Sequence, residues 1–294
     1  MIRRVLSLLV ALGAVVAALV VLPAATAQAA TCATAWSSSA VYTNGGNVSY
    51  NGRNYTAKWW TQNERPGSSD VWADKGACGT GGGGEQPGTG FVVSEAQFNQ
   101  MFPNRNSFYT YSGLTAALSS YPAFANTGSA EVKKREAAAF LANVSHETGG
   151  LVYIKEINEA NYPHYCDRTQ PYGCPAGQAA YYGRGPIQLS WNFNYKAAGD
   201  ALGIDLLNNP YLVEQNASVA WRTGLWYWNT QNGPGTMTPH NAIVDNRGFG
   251  ETIRSINGSI ECNGGNPAQV QSRIDKFTQF TQILGTTTGS NLSC

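Results

Sequence analysis

The chain has 294 residues, enough for one or two domains with a sizeable hydrophobic core. Charged residues make up only 13% of it and the formal net charge at pH 7 is +1, so nucleic acid is not an expected partner. Aromatic residues reach 11%, with 8 Trp and 15 Tyr, an excess that suits stacking on the apolar faces of sugar rings and equally suits a large core.

The N-terminus has the three parts of a secretory signal peptide. Two arginines precede an apolar run over residues 5–22, and Ala27-Gln28-Ala29 supplies a small-residue cleavage site. We therefore predict a signal peptide over residues 1–29 and a secreted, extracellular protein. An uncleaved membrane anchor is the alternative, which Pro23 disfavours, and no later apolar stretch is long enough to span a bilayer.

Six cysteines follow this segment, which in a secreted chain predicts up to three disulfides. Fifteen pairings are possible. Proximity in the sequence favours three of these pairs: Cys32–Cys78, Cys166–Cys174 and Cys262–Cys294. A zinc site is the weaker alternative, because there is no Cys-x-x-Cys and the three histidines are scattered. We expect neither a metal nor a cofactor.

Residues 30–78 are predicted to form a small all-β unit. Short strand-like runs, among them 47–50 and 53–60, alternate with turn signals. Adjacent Trp59 and Trp60 in a strand would point to opposite faces, and a unit this thin cannot bury both side chains. At least one of the two indoles is therefore expected to be exposed.

Residues 79–90 are predicted to be a flexible linker, because they are Gly-rich and include four consecutive glycines at 81–84. The remaining residues, 91–294, have a mainly helical pattern with one short strand candidate, Leu151–Ile154. Apolar residues recur at helical spacing in six segments: 93–102, 112–121, 130–146, 194–202, 209–228 and 268–284. The predicted class of this domain is mainly α (α+β).

Two glutamates near the end of the third segment suggest chemistry. Glu147 continues the apolar stripe of Phe140 and Val144, at the point where Gly149-Gly150 should end the helix. A carboxyl half buried against apolar atoms favours its protonated form, which a general acid needs. Glu156 follows an apolar run and has polar neighbours that would keep it ionised.

Such a pair of carboxyls in unlike environments is typical of glycoside hydrolysis, where one protonates the leaving oxygen and the other activates water. The commoner alternative for a glutamate at a helix end is a solvated surface carboxylate. The sequence His146-Glu147 also begins like a zinc-protease helix, but that motif requires a histidine where this chain has Gly150.

The N-terminal unit resembles the chitin-binding modules, of family 5/12 type, found in bacterial chitinases. The resemblance rests on the Trp59-Trp60 pair, the Pro-Gly turn within 64–67 and the later Trp72. It implies that Trp59 and Trp60 stack on chitin and that Trp72 belongs to the core.

Residues 91–294 resemble the chitinases of glycoside hydrolase family 19. Four ordered blocks carry the resemblance: 146–150, 182–195, 220–228 and 256–262. The short spacing between the two glutamates is similar to that of bacterial, actinomycete-type members. The implied fold is a lysozyme-like, two-lobed catalytic domain with a cleft.

The resemblance also implies roles. Glu147 would be the general acid, Glu156 the general base of an inverting reaction, and Ser190 would hold the attacking water with Glu156, although Ser190 could instead cap a helix. Glu261 and Arg273 would form an ion network around the base and hold Glu156 anionic. The full set of implied substrate-binding positions is Thr148, Tyr182, Gln188, Asn192, Asn257, Glu261 and Arg273.

The resulting hypothesis is a secreted, monomeric endochitinase that hydrolyses the β-1,4 bonds of N-acetylglucosamine polymers, with a role in chitin degradation or antifungal action. Its expected partners are chitin and its oligosaccharides, with no nucleic acid and no membrane. Two alternatives stay open: a muramidase acting on peptidoglycan, and a chitin-binding lectin with an inactive cleft. The Trp59-Trp60 pair favours chitin, and the joint presence of Glu147, Glu156 and Ser190 favours an enzyme.

Overall fold

The computed structural model describes residues 32–78, except 35, 38–39 and 51–52, and residues 91–294. The predicted signal peptide and the Gly-rich linker lie outside the described residues. The chain divides into two compact units at residues 86 and 87, within the predicted linker. Among the described residues, no helix combines the length and the apolar character needed to cross a lipid bilayer.

Five short strands build the N-terminal unit. β1 (Val41–Tyr42) pairs antiparallel with β4 (Thr61–Gln62). A three-stranded antiparallel sheet has the order β2 (Asn47–Tyr50), β3 (Arg53–Ala57), β5 (Trp72–Ala77). The strands are short because turn-forming residues interrupt every apolar run.

The core of this unit is small and centres on Trp72. The indole of Trp72 is buried and its Nε1 donates to the carbonyl of Glu64 at 2.8 Å. Val48, Tyr55 and Ala57 complete the buried cluster with Val71. A core this small gains from the Cys32–Cys78 disulfide, which closes a loop with a sequence separation of 46. Loop closure of that length stabilises the fold by about 4 kcal/mol in the chain-entropy account.

Trp59 and Trp60 lie after the end of β3. The prediction of a strand over 53–60 is too long, because the chain bends after Ala57. Both indoles are exposed, by 54% and 61% respectively. The expectation that at least one is exposed is therefore confirmed, although the reason is a bend and not the alternation of a strand.

Nine α-helices are found among the described residues of the second unit. They are α1 (Glu95–Met101), α2 (Tyr111–Ala117), α3 (Ala130–Thr148), α4 (Asn192–Leu202), α5 (Leu212–Gln215), α6 (Ala217–Thr230), α7 (Pro239–Val244), α8 (Phe249–Glu261) and α9 (Pro267–Leu284). Two 3₁₀ segments, Leu118–Ser120 and Glu159–Tyr165, complete the regular structure.

Two predictions about these elements are wrong, and two helices were missed. The predicted helix 209–228 is two helices, because Asn216 separates them and caps α6 by accepting from the backbone N–H of Ser218 and Val219. Helices α7 and α8 were not predicted. The strand candidate Leu151–Ile154 is a turn region, since Leu151 has a positive φ of 62° that a strand does not allow.

Two hydrophobic clusters underlie this unit. The larger packs side chains of α3, α6, α8 and α9, among them Phe140, Trp221, Trp228, Phe249 and Phe277. The smaller packs around the loop before α4 and includes Tyr181, Ile187, Tyr195, Leu206 and Trp226. Helix α6 contributes to both clusters and therefore joins the two lobes, and its three buried tryptophans have the core role that their helical spacing predicts.

A buried carboxylate fixes the middle of α3. Glu136 is fully buried, and its Oε1 accepts from Trp228 Nε1 at 3.0 Å and bonds to His240 Nδ1 at 2.7 Å. Its Oε2 accepts from the backbone N–H of Ala125 at 2.9 Å. Because both oxygens have partners on other elements, α3 is a rigid support for the residues at its C-terminal end.

Candidate active site

The C-terminus of α3 ends in a sharp reversal of the chain. Gly149 adopts the left-handed conformation, with φ 60° and ψ 39°, and Gly150 follows with φ 82°. The N–H of Gly150 donates to the carbonyl of Ser145 at 2.7 Å, so the helix is closed by a backbone cap. The helix thus ends where Gly149-Gly150 predicts, and Glu147 lies in its last turn.

The side chain of Thr148 stabilises this reversal through two hydrogen bonds. Its hydroxyl donates to the carbonyl of Val144 at 2.6 Å and accepts from the N–H of Leu151 at 2.7 Å. The side chain is fully buried. The hydroxyl of Thr148 is thus used within the turn, and its contact with substrate stays a prediction.

Glu147 is paired with a buried arginine. Its Oε1 accepts from Arg273 Nη2 at 2.5 Å, and 18% of the Glu147 side chain is exposed. Arg273 is 1% exposed and binds Glu261 through two parallel hydrogen bonds, of 2.8 Å from Nε and 2.6 Å from Nη2. Its Nη1 donates to Asn143 Oδ1 at 3.1 Å. One cation therefore lies between two carboxylates.

Burial and charge oppose each other in this network. Burial lowers the pKa of Arg273, but the carboxylates of Glu147 and Glu261 outweigh it and raise that pKa above its ordinary value. Burial raises the pKa of Glu261, but hydrogen bonding and attraction from Arg273 outweigh it and lower that pKa. Both groups are thus held in their charged forms.

This network corrects one expectation. It surrounds the proposed acid Glu147, not Glu156, because Arg273 comes from α9 and reaches the end of α3. Both Arg273 and Glu261 are buried, and their direct contact with sugar stays a prediction. Asn257 donates to Glu261 Oε1 at 2.7 Å from a kink in α8, where its φ is −144°.

Glu156 is held by uncharged donors. Its Oε1 accepts from Asn161 Nδ2 at 2.7 Å and from the hydroxyl of Tyr165 at 3.1 Å. Burial, together with Glu156, raises the pKa of Tyr165 to about 12, so this hydroxyl stays protonated and remains a donor. The Oε2 of Glu156 is buried and has no hydrogen-bond partner among the described residues.

The residues that hold Glu156 were missed in the sequence. Asn161, Tyr162 and Tyr165 all lie on the 3₁₀ segment Glu159–Tyr165, which follows Glu156 directly. The signal that could have found them is the density of Asn and Tyr between Glu156 and the disulfide-bonded Cys166.

A small antiparallel ladder places Ser190 two strands away from Glu156. Lys155 pairs with Arg184, which in turn pairs with Leu189. In this register Glu156 and Ser190 are on either side of Gly183, and the N–H of Glu156 donates to the carbonyl of Gly183 at 2.8 Å.

Ser190 precedes α4 but does not cap it. The helix begins at Asn192, and the capping position is Trp191, whose side chain makes no capping bond. The alternative role of Ser190 as a helix cap is therefore wrong. The half-buried Ser190 hydroxyl makes no hydrogen bond in the part of the chain that the structure describes, whereas its carbonyl accepts from Asn194 Nδ2 at 3.0 Å.

The predicted amides divide into structural and accessible groups. Asn192 is buried, and its side chain accepts from Asp167 N and donates to the carbonyls of Asp167 and Gly173. It thereby fixes the loop closed by the Cys166–Cys174 disulfide, and its contact with sugar stays a prediction. Gln188 and Asn257 are half-buried, so both stay candidates for sugar contact.

Tyr182 lies almost entirely inside the protein. It is 5% exposed, and its hydroxyl donates to Glu214 Oε2 at 3.2 Å. Tyr162 stacks on its ring, and the guanidinium of Arg184 packs against the ring as well. The contacts of Tyr182 in the structure are thus with other protein groups, and its contact with substrate stays a prediction.

The six cysteines form the three disulfides expected from proximity in the sequence. The Cα–Cα distances are 4.8 Å for Cys32–Cys78, 6.1 Å for Cys166–Cys174 and 5.0 Å for Cys262–Cys294. Among the described residues, no three His, Cys, Asp or Glu side chains are grouped so as to hold a metal ion.

Two carboxyl groups in unlike settings, one paired with a cation and one with neutral donors, are the kind of pair that glycoside hydrolases use. Residues 92–294 match the profile described as chitinase class I, glycoside hydrolase family 19, and residues 35–73 match carbohydrate-binding module family 5/12. The chain belongs to the family 19 chitinases and carries an N-terminal family 5/12 module.

Solved structures agree with this assignment. The crystal structure of chitinase C from Streptomyces griseus HUT6037 is 86% identical, with a TM-score of 0.69, and the match covers 90% of this chain and 100% of that one. The class IV chitinase of Zea mays is 44% identical, with a TM-score of 0.61, over 69% of this chain and 98% of that one. The expected mainly helical, lysozyme-like fold with a small N-terminal β module is confirmed.

Curated plant relatives match the catalytic unit. Chitinase 6 of Oryza sativa subsp. japonica is 46% identical over 188 residues, 64% of this chain and 66% of the rice protein. Endochitinase A of Zea mays is 44% identical over 210 residues, 69% of this chain and 71% of the maize protein.

Proposed function

We propose that this chitinase is a secreted endo-acting enzyme that hydrolyses β-1,4 bonds between N-acetylglucosamine units with inversion at the anomeric carbon. The observation that carries the proposal is the unlike setting of the two carboxyls. Glu147 shares a cation with a second carboxylate, and Glu156 has neutral donors on one oxygen only.

In the proposed mechanism Glu147 protonates the glycosidic oxygen. A lone arginine would oppose protonation of Glu147, because an adjacent cation favours the carboxylate. Here Glu261 binds Arg273 through two hydrogen bonds and offsets its charge, so Glu147 can carry the proton. Arg273 also fixes Oε1 of Glu147 and so orients the carboxyl toward the bond to be cleaved.

Glu156 acts as the base. Asn161 and Tyr165 fix its Oε1 and so orient the carboxylate, which takes the proton of the attacking water. The hydroxyl of Ser190 can donate to this water and accept from it, which orients it. Inversion requires about 6.5–9.5 Å between the two carboxyl groups, so that water fits on the face opposite the leaving group.

The N-terminal module is proposed to bind insoluble chitin. Trp59 and Trp60 are both exposed on a bend and offer flat apolar surfaces to the sugar rings of a polymer chain. In the full chain, a Trp59→Ala/Trp60→Ala variant should lose most adsorption to chitin while keeping its rate on soluble oligomers. Equal losses in both assays would contradict separate roles for the two units.

The central experiment is a time course on a soluble N-acetylglucosamine hexamer, with the anomers of fresh products resolved by NMR. Internal cleavage that yields α-anomers at the new reducing ends is the expected result. β-Anomers would mean retention and would overturn the role of Glu156 as base. Absence of cleavage together with firm chitin binding would indicate a lectin, and cleavage of peptidoglycan in preference to the hexamer would indicate a muramidase.

A further inference from the structure

Three planar groups are stacked next to the segment that carries Glu156: the guanidinium of Arg184 and the rings of Tyr182 and Tyr162. The guanidinium of Arg184 lies 3.5 Å from the ring centroid of Tyr182. The ring of Tyr182 lies 3.6 Å from that of Tyr162, with an angle of 12° between the planes. Tyr182 is thus enclosed between a cation and a second aromatic ring.

This stack holds the backbone of Glu156 from two directions. The hydroxyl of Tyr162 donates to the carbonyl of Glu156 at 2.8 Å. The N–H of Glu156 donates to the carbonyl of Gly183 at 2.8 Å, and Gly183 lies between Tyr182 and Arg184 in the chain. Any shift of the stack therefore moves the peptide groups on both sides of the Glu156 side chain.

Arg184, at one end of the stack, is hydrogen-bonded to residues of the smaller hydrophobic cluster. Arg184 is fully buried, and its Nε donates to Glu214 Oε2 at 2.7 Å. Its Nη1 donates to the carbonyl of Ala180 at 2.7 Å and to the hydroxyl of Tyr195 at 2.8 Å. Nη2 is buried and has no hydrogen-bond partner among the described residues. The guanidinium packs against the faces of aromatic rings, which is a favourable contact for a cation.

We propose that Arg184, Tyr182 and Tyr162 are positioning residues that set the place of Glu156 for attack by water. The inference rests on the proposed role of Glu156 as base. Arg184 and Tyr182 are buried, so these two residues would act on the reaction through the backbone contacts to Glu156. Displacement of a catalytic group by about 1 Å can cost on the order of a hundredfold in rate, so a support of this kind should appear in kcat.

The test compares kcat and KM on the soluble hexamer for variants of the full chain. Tyr162→Leu removes the stacked ring and its hydrogen bond, and should lower kcat about thirtyfold with KM changed less than about twofold. Tyr162→Phe keeps the ring but loses the bond to Glu156, and should lower kcat about fivefold. Tyr182→Phe keeps the stack and should retain at least half of the wild-type kcat.

Tyr211→Leu is the matched control. The Tyr211 ring also packs on Arg184, at 4.8 Å, but no contact of Tyr211 reaches Glu156 among the described residues. Its kcat should stay within about twofold of wild type. If Tyr162→Leu unfolds the protein, the kcat of Tyr162→Phe tests the inference in its place. A wild-type kcat in Tyr162→Phe, or an equal loss in Tyr211→Leu, would overturn the inference.

A Glu156→Ala variant separates failure of this inference from failure of the proposed function. If Glu156→Ala keeps more than about a tenth of the wild-type kcat, the base assignment is wrong. If Glu156→Ala is inactive while Tyr162→Leu is folded and fully active, the base assignment stands and the positioning stack is wrong.

Discussion

The surroundings of Glu147 and Glu156 differ in kind, although the two residues are close in the chain. Glu147 ends a long helix and is bound by Arg273, itself bound by Glu261. Glu156 lies on a loop, and among the described residues its carboxyl is hydrogen-bonded by the amide of Asn161 and the hydroxyl of Tyr165. Glu147 is thus part of a network of charged groups, whereas Glu156 is held by neutral hydrogen-bond donors.

Under the proposed roles, this difference is how one fold would assign two carboxyls to two tasks. A general acid such as the proposed Glu147 must give up a proton and regain it. Arg273 can orient the carboxyl of Glu147 without forcing its ionisation, because Glu261 already offsets the charge of Arg273. A group that must accept a proton from water benefits from neutral donors on one oxygen, which orient the carboxylate. The predictions below test whether the two settings have these separate effects.

Loss of the acid should have the largest effect on rate. Glu147→Gln cannot donate a proton, and general acid catalysis contributes about 10²- to 10⁴-fold, so kcat on the soluble hexamer should fall by that factor. Binding to insoluble chitin should be unchanged, since Trp59 and Trp60 lie in the other unit. Glu95→Gln, which changes an exposed glutamate in the first turn of α1, is the control and should keep the wild-type rate. Near-normal turnover of Glu147→Gln would refute the assignment.

Loss of the central cation should have the largest effect on stability. Arg273→Gln leaves Glu147 and Glu261 as neighbouring carboxylates without their cation, which should lower the free energy of unfolding by about 3–5 kcal/mol. Denaturation in urea, followed by tryptophan fluorescence, measures this. Arg254→Gln is the control, because its pair with Glu251, at 3.3 Å, is partly exposed and should be worth less than about 1 kcal/mol. Similar losses in both variants would contradict a special role for the buried network.

Acid should weaken the network around Glu147. Arg273 holds the pKa of Glu261 below its ordinary value of 4.5, against the effect of burial. A depressed folded-state pKa means that the stabilisation is complete above the unfolded pKa and is lost as pH falls through the folded value. The Tm from calorimetry should therefore fall between about pH 5 and pH 3. Glu261→Gln should start from a lower Tm and decline less over that range, and an equal decline would contradict the assignment.

Loss of one donor to the base should have the smallest effect. Tyr165→Phe removes the 3.1 Å hydrogen bond to Glu156 Oε1 but leaves the bond from Asn161, so kcat should fall about three- to tenfold with no change in Tm beyond a few degrees. Tyr172→Phe is the matched control, because its hydroxyl also makes a 3.1 Å bond, to Gln170. If the two variants lose activity equally, the hydroxyl of Tyr165 has no particular role at the base.

Much of the site could be placed from local sequence. The end of α3 at Gly149-Gly150 follows from the freedom of glycine at positive φ, and this places Glu147 in the last helical turn. The small size of the N-terminal unit is enough to predict that at least one of Trp59 and Trp60 is exposed, whereas the exposure of both depends on the bend after β3. Sequence proximity was also sufficient for the cysteine pairs, since each pair lies within one unit.

The partners of each carboxyl could not be placed in the same way. Arg273 was expected beside Glu156 and is bound to Glu147, and Asn192 and Thr148 were expected to bind sugar and are buried. A sequence motif gives the residue types at a site. It does not say whether the side-chain amide of a residue such as Asn192 faces a cleft or is hydrogen-bonded within a loop. That depends on the packing of distant segments.

The sequence by itself determined the two-module plan, the helical class of the catalytic unit and the two acidic residues, because these follow from periodicity, turn residues and local spacing. Only the tertiary structure decided which carboxyl is bound by a cation and which by neutral donors. The physical reason is that Arg273 reaches Glu147 from α9 across a sequence separation of 126 residues, and Tyr182 and Arg184 support Glu156 from a separate loop. Contacts between segments so far apart are fixed by the packing of two hydrophobic cores, which no local pattern specifies.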